Sequence, residues 1–278
     1  MYKALSLGVL GHSLPFEAKA KIATQHGFAG VDMSMEPIEE LGLDGVRRIL
    51  DENGLVAAVC GMPVQFRKDD ETFGKDLEAL PAYGKAMADV GCTRCATWFM
   101  PVYDTPTYEE AFEQLRVRTA AICDVLGEYG IRYGLEFVGP ETMRGDRSQE
   151  FIYSINTLLP LIKAVDRPNL GMLLDIYHWY TSDGSADDLS KLDDDLIVLV
   201  HLNDGQAGVA REDQIDGIRA MPLETGVVDS ATFMRALDSL AYSGPLIVEP
   251  FSQRIRETPV EDAVAETSTS IDRMLALI

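Results

Sequence analysis

Positive charge is scarce in this sequence. Only 24 Lys and Arg stand against 45 Asp and Glu in 278 residues, a formal net charge of −21. Such a surface repels phosphate backbones and anionic lipid, which argues against nucleic acid and membranes as main partners. Histidine is scarcer still: His12, His26, His178 and His201 are all there are. A multinuclear metal site built on many imidazoles therefore has too few ligands. No apolar stretch reaches membrane-spanning length. The N-terminal MYKALSLGVLG lacks a charged region followed by a long apolar run and a small-residue cleavage site. It is not read as a signal peptide, and a reducing cytoplasm is the expected location.

Cysteine is also sparse. Cys92 and Cys95 form a C-x-x-C, but a zinc site wants a second pair, and Cys60 and Cys123 are isolated. A thioredoxin-like motif would open a helix, whereas this one leads into the strand-like CATWFMP. Buried free thiols are the expectation. There is no low-complexity linker and no sharp change of composition. Hydrophobic residues make up 46%, enough for one large core, and the chain reads as a single domain over residues 1–278.

What the sequence does contain is a repeated strand–helix rhythm. Short apolar runs occur at residues 4–9, 29–34, 55–63, 94–101, 131–140, 170–178, 196–204 and 245–251. Helically spaced segments separate them, and several end in Gly, such as Gly27 and Gly54, where a left-handed C-cap is expected. The third helix, over 73–91, is expected to break near Pro81. The fifth is expected over 148–165. Most strands are apolar on both faces, as in a parallel sheet covered by helices. Eight such units in this length predict a (β/α)8 TIM barrel. An open doubly wound sheet would show a G-x-G-x-x-G after its first strand. Here that turn reads GVLGHSLP.

Barrel enzymes carry their chemistry at the C-terminal ends of the strands. The last four strands end in Glu136, Asp175, His201 and Glu249. Strand alternation permits these to converge. Glu136 is in phase with Gly134, Asp175 with Leu173 and Gly171, His201 with Leu199 and Ile197, and Glu249 with Ile247. The opposite phase would press ionisable groups against apolar helix faces, which is costly. Three carboxylates brought together would repel, and a divalent cation removes that penalty. Oxygen ligands plus one imidazole suit manganese, magnesium, cobalt, zinc or iron. Any one of the four alone would read as a salt-bridge or core residue; their common level on consecutive strands carries the argument.

The segments GLEF, LLDIYH, VHLND and IVEPF, in that order, resemble the xylose-isomerase-like TIM barrels, the sugar-phosphate isomerase/epimerase superfamily. The resemblance covers almost the whole chain. It implies that Glu136, Asp175, His201 and Glu249 are metal ligands, with Glu136 and Glu249 also moving protons. It implies that His178, in the D-x-x-H begun by Asp175, contacts a substrate oxygen. Arg219 in RAMPLETG is similar to the Arg of the family's R-x-x-P-G-x-G, although Leu223 and Glu224 replace the residues after the Pro; Arg211 is a second candidate. His12 and Glu141 are further candidates for substrate contact, and Trp98, Phe99, Trp179 and Tyr180 for pocket walls. The family acts on sugars or polyol-derived ketones, and its members are often dimers or tetramers. The resemblance implies an enediolate-forming isomerase or epimerase. A lyase that expels a β-substituent, as in inosose dehydratase, and a non-catalytic sugar-binding barrel are the alternatives. Phosphodiester hydrolysis, as in endonuclease IV, is rejected for want of histidines and a basic face.

Overall fold

In the computed structural model, which describes residues 1–105, 107–145 and 148–278, the apolar runs become eight parallel strands. They are β1 (Tyr2–Leu5), β2 (Gly30–Met33), β3 (Val56–Gly61), β4 (Arg94–Trp98), β5 (Arg132–Glu136), β6 (Leu170–Asp175), β7 (Ile197–Leu202) and β8 (Pro245–Val248). Each pairs with its neighbours in chain order, and β1 closes on β8. The chain therefore forms one closed (β/α)8 barrel.

The surrounding helices are α1 (Phe16–Gln25), α2 (Met35–Asn53), α3 (Asp70–Asp89), α4 (Tyr108–Gly127), α5 (Ile155–Val165), α6 (Ile176–Thr181), α7 (Ala186–Leu189), α8 (Ser230–Ser239), α9 (Gln253–Glu257) and α10 (Val260–Leu275). Two depart from expectation. Helix α3 runs through Pro81 without a break. The proline removes one N–H, but Leu80, Gly84 and Met87 keep the flanking turns buried, and packing outweighs the lost bond. Helix α5 starts at Ile155 rather than near 148, because Ser154 and Thr157 form a reciprocal capping box there. Among the described residues, no helix is long and apolar enough to cross a membrane.

Strand phase separates two apolar layers. Leu173, Leu199 and Ile247 join Ala4, Ala58 and Val59 in a small cluster inside the barrel. Leu135, Leu174, Val200 and Val248 belong to the larger shell between strands and helices. One sequence assignment is corrected. Ile197 lies in the outer shell, not in phase with His201. A β-bulge is the cause: Met172 pairs with Ile197 but Leu173 pairs with Leu199, leaving Val198 unpaired. A similar skip leaves Ala58 unpaired between β2 and β3. The four cysteines are buried and free. Cys60 and Cys92 both donate to the Arg94 carbonyl at 3.4 Å, and burial pushes the Cys123 thiol up to about 12.

Gly171 makes room for this arrangement. A Cβ there would sit 2.5 Å from the Leu196 carbonyl oxygen and 3.0 Å from Val198 Cγ2. Because the first obstacle is backbone, Gly171→Ala is expected to destabilise the fold by about 1–3 kcal/mol, measured as a lower midpoint in urea denaturation.

Candidate metal centre and active site

Glu136 ends β5, Asp175 ends β6, His201 lies near the end of β7, and Glu249 directly follows β8. All four are buried, and one ligand atom from each lies within 4.8 Å of the others. His201 Nδ1 is 3.6 Å from Glu136 Oε1, 3.8 Å from Asp175 Oδ2 and 3.4 Å from Glu249 Oε2. Two ligands on a tetrahedral ion with bonds of ~2.1 Å sit roughly 3.4 Å apart, so the spacing fits one shared cation. Glu136 Oε1 and His201 Nδ1 are buried without a hydrogen-bond partner, which leaves a donor atom on each side free for such an ion. Among the described residues, no second group of this kind is found.

The chain also brings its own cation to this cluster, which the carboxylate argument from sequence did not include. Arg219 Nη1 donates to Asp175 Oδ2 at 2.8 Å and to Glu249 Oε2 at 3.0 Å, while its Nη2 donates to Asp216 Oδ1 at 2.8 Å. The guanidinium lies between the rings of Tyr177 and Phe251, 4.7 and 4.6 Å from their centroids. Phe251 reaches that position with φ of 39°, an unfavourable conformation for a bulky residue that clusters at functional sites. Asn203 completes the support, donating to both Asp175 oxygens at 3.2 and 3.1 Å and to the Glu249 carbonyl at 3.3 Å.

The loop over 203–226, which carries Arg219, is tied together by its own hydrogen bonds. Asp204 and Ala220 exchange backbone hydrogen bonds at 2.9 Å. The Asp204 carboxylate accepts the amides of Thr225, Gly226 and Val228 at 2.8–3.0 Å. The buried Gln214 side chain donates to the Gln206 and Val209 carbonyls. Leu223 takes φ of 62°, so it adopts a left-handed conformation at the position where the family pattern has glycine.

These contacts set the protonation states. Burial pushes the Glu136 carboxyl up to about 7, with His201 pulling the other way. Burial would also raise Glu249, but the adjacent His201 and Arg219 hold it below the usual carboxylate range. Asp175 is likewise held low by Arg219 against its own burial. His201 rises to about 10, because Glu249 and Glu136 outweigh its desolvation. His178 differs: burial lowers it, so its ring is neutral. The Gly139 amide donates to His178 Nδ1 at 3.1 Å, and Arg219 Nη2 lies 3.2 Å from Nε2, so an N–H donor faces each ring nitrogen. Nε2 is also 3.7 Å from Asp216 Oδ1 and 4.0 Å from Glu136 Oε1, at the edge of the cluster. A Cβ on Gly139 would lie 2.3 Å from the His178 carbonyl oxygen, so this close approach requires glycine.

The structure brings together six of the residues singled out from the sequence: Glu136, Asp175, His178, His201, Arg219 and Glu249. It places the others elsewhere. His12 Nε2 lies 3.0 Å from the Ile255 carbonyl, and the residue lines a neighbouring cavity rather than that of the cluster. Glu141 opens a short 3-10 turn and, with Arg211, lines a separate cavity behind α6. Arg211 pairs with Asp183 at the surface. Of the four aromatics, Trp98 lines the central cavity of about 220 Å³ and is 44% exposed. Trp179 packs against Phe233, Phe99 faces a different pocket, and Tyr180 packs against the core shell. Sequence reasoning missed Asn203, Asp216, Tyr177 and Phe251. Only Asn203 carried a local signal, being two residues beyond His201 and therefore on the same face.

Residues 20–274 match the family described as xylose isomerase-like TIM barrel. Over 147 residues the chain is 25% identical to an inosose isomerase of Bacillus licheniformis, covering 51% of this chain and 48% of that protein. Over 180 residues it is 27% identical to a ketose 3-epimerase of Arthrobacter globiformis, covering 61% and 53%. The chain thus spans about half the length of the curated relatives it matches. A xylose isomerase domain protein from Alicyclobacillus acidocaldarius superimposes with a TM-score of 0.87 at 28% identity, covering 100% of this chain and 99% of that one.

Removing Arg219 leaves Asp175 and Glu249 buried without their counterion. Arg219→Met is expected to cost about 3–5 kcal/mol in chelator-treated protein, with Arg219→Lys recovering only part because one ammonium cannot reproduce the fork. Chemical denaturation of the two variants measures this.

Proposed function

The chain belongs to the xylose isomerase-like TIM barrel family, and on that premise we propose that it is a divalent-metal-dependent isomerase or epimerase of a ketose or related polyol ketone. The observation that carries this reading is the convergence of Glu136, Asp175, His201 and Glu249, with a buried, unbonded donor atom on Glu136 and on His201. These four residues would hold the ion. A metal bound there supplies Lewis-acid polarisation of a carbonyl, which acidifies the neighbouring C–H.

The chain's own groups do the rest. Glu136 and Glu249 stand on strand ends three apart around the ring, so they flank a bound substrate from different directions. One carboxylate takes the proton from the carbon next to the carbonyl, and the electron pair moves onto the carbonyl oxygen as an enediolate forms. The other carboxyl returns a proton to the same carbon from the opposite side, which inverts it. Return to the adjacent carbon exchanges aldose and ketose instead. His178, whose Nε2 stands 4.0 Å from Glu136 Oε1, contacts a substrate oxygen and holds it in register. Trp98 closes one side of the cavity. If the same enediolate expels a β-hydroxyl, the enzyme is a lyase, and the first half-reaction is unchanged.

Proton transfer to solvent distinguishes these outcomes. In heavy water with Mn²⁺, NMR of a panel of ketoses and inososes is expected to show deuterium entering at carbon without loss of water. Loss of water would instead make the protein a lyase. Glu136→Gln and Glu249→Gln are each expected to slow exchange by about 10²–10⁴-fold. A folded wild type that binds no divalent ion and exchanges no proton with any of the panel refutes the reading and leaves a sugar-binding barrel.

Metal affinity should also depend on pH. His201 holds its proton up to about pH 10 and Glu136 up to about 7, and an entering cation must displace them. Affinity therefore rises with pH, by about tenfold per unit for each proton displaced: two protons below about pH 7 and one above it. Calorimetry in buffers of different ionisation heat counts the protons released.

A further inference from the structure

A substrate held at the four convergent groups must place its far end across the barrel mouth. In the closed ring β2 lies opposite β6, and Asp32 on β2 lines the same cavity as Glu136, His201 and Glu249. Asp32 is held from two sides. Ser6 Oγ donates to Asp32 Oδ2 at 3.1 Å. Lys19 pairs with Oδ1 and donates to the Asp32 carbonyl at 2.7 Å. The Lys19 side chain is only 14% exposed, whereas that of Asp32 is 33% exposed, so the carboxylate is the accessible member of the pair. Between Asp32 and the metal pole the wall is apolar, formed by Val9, Met33, Val59, Leu173, Leu199 and Ile247.

Asp32 also forms a wall of the adjoining cavity, of about 520 Å³. That cavity adds His12, Ser34, Glu36 and Glu40, and Lys19 is its one Lys or Arg among the described lining residues. Among the described residues, no Lys or Arg lines the central cavity. Among the described residues, the path leading away from the metal pole therefore offers several carboxylates and a single ammonium, already committed to Asp32. A phosphate or carboxylate on the far end of a substrate would meet like charge, with no uncommitted Lys or Arg among the described lining residues to receive it. A hydroxyl would meet a preset acceptor.

Building on the isomerase reading, we propose that Asp32, oriented by Ser6 and Lys19, is a specificity-determining residue. It accepts hydroxyl hydrogens from the far end of the substrate and restricts the site to uncharged polyhydroxy ketones.

The test uses unreactive polyols, so that binding is read without turnover. The full chain, with and without Mn²⁺, is titrated calorimetrically with D-sorbitol and with D-sorbitol 6-phosphate. Sorbitol is expected to bind, and the phosphate at least tenfold more weakly. Asp32→Leu is expected to weaken sorbitol binding about ten- to a hundredfold, the usual worth of a hydrogen bond to a charged group. Mn²⁺ affinity should stay within twofold of wild type. Asp32→Asn keeps an acceptor oxygen, should lose less, and covers the case in which the leucine variant does not fold. Equal or tighter binding of the phosphate overturns the proposal. So does an unchanged sorbitol affinity in a folded Asp32 variant, or a wild type that does not bind sorbitol. Failure of the isomerase reading looks different: Mn²⁺ does not bind, or no ketose exchanges its proton, whatever the polyol titrations give.

Discussion

Three carboxylates packed into the dry end of a barrel are the constraint on which the rest of this site depends. Charges that close in a low dielectric cannot all remain ionised without cations beside them. The chain answers at two corners in different ways. Asp175 and Glu249 share the guanidinium of Arg219 and stay ionised. Glu136 receives no such partner, and its carboxyl moves up towards neutrality. The ring of His201 stands between Glu136 and Glu249. The electrostatic shortfall is therefore local: it lies at the Glu136–His201 corner, where the unbonded donor atoms also lie.

That division explains why the connection after β7 is long. A guanidinium can neutralise two carboxylates only if its fork is held rigidly. The loop supplies rigidity through the Asp204 and Gln214 networks, and Tyr177 on α6 and Phe251 beyond β8 set aromatic rings around the guanidinium. Two residues bear unfavourable backbone conformations in the process, Leu223 and Phe251. Strain of this kind persists where surrounding contacts over-determine it. Residue 223 lies in the loop that carries Arg219, and Phe251 covers the guanidinium.

The barrel divides its mouth into unlike halves. Strands β5 to β7 and the residue after β8 contribute the titratable cluster, and the loop after β7 contributes its counterion. Strands β1 and β2 lead to Ser6 and to Asp32, the latter paired with Lys19. The layer beneath is apolar, and the β-bulges at Ala58 and Val198 place extra side chains inside it. This dry floor is what makes burial dominate the behaviour of Glu136 and His178.

The sequence by itself determined the barrel and the four strand-end groups. Both rest on local regularities: a two-residue alternation within each strand and a fixed order of strand and helix along the chain. The alternation failed once, at Ile197, because a bulge inserts a residue and leaves no mark in the apolar pattern. Tertiary structure alone decided that Arg219 rather than Arg211 reaches the cluster, that His12 and Glu141 face other cavities, and that Asp32 shares a cavity with Glu136, His201 and Glu249. It also set His178 between the Gly139 amide and the Arg219 guanidinium, 39 and 41 residues away in sequence. These features depend on contacts between loops and strands far apart in the chain. No period in the sequence encodes such contacts, because a loop side chain's position is set by what it packs against and not by its neighbours in the chain.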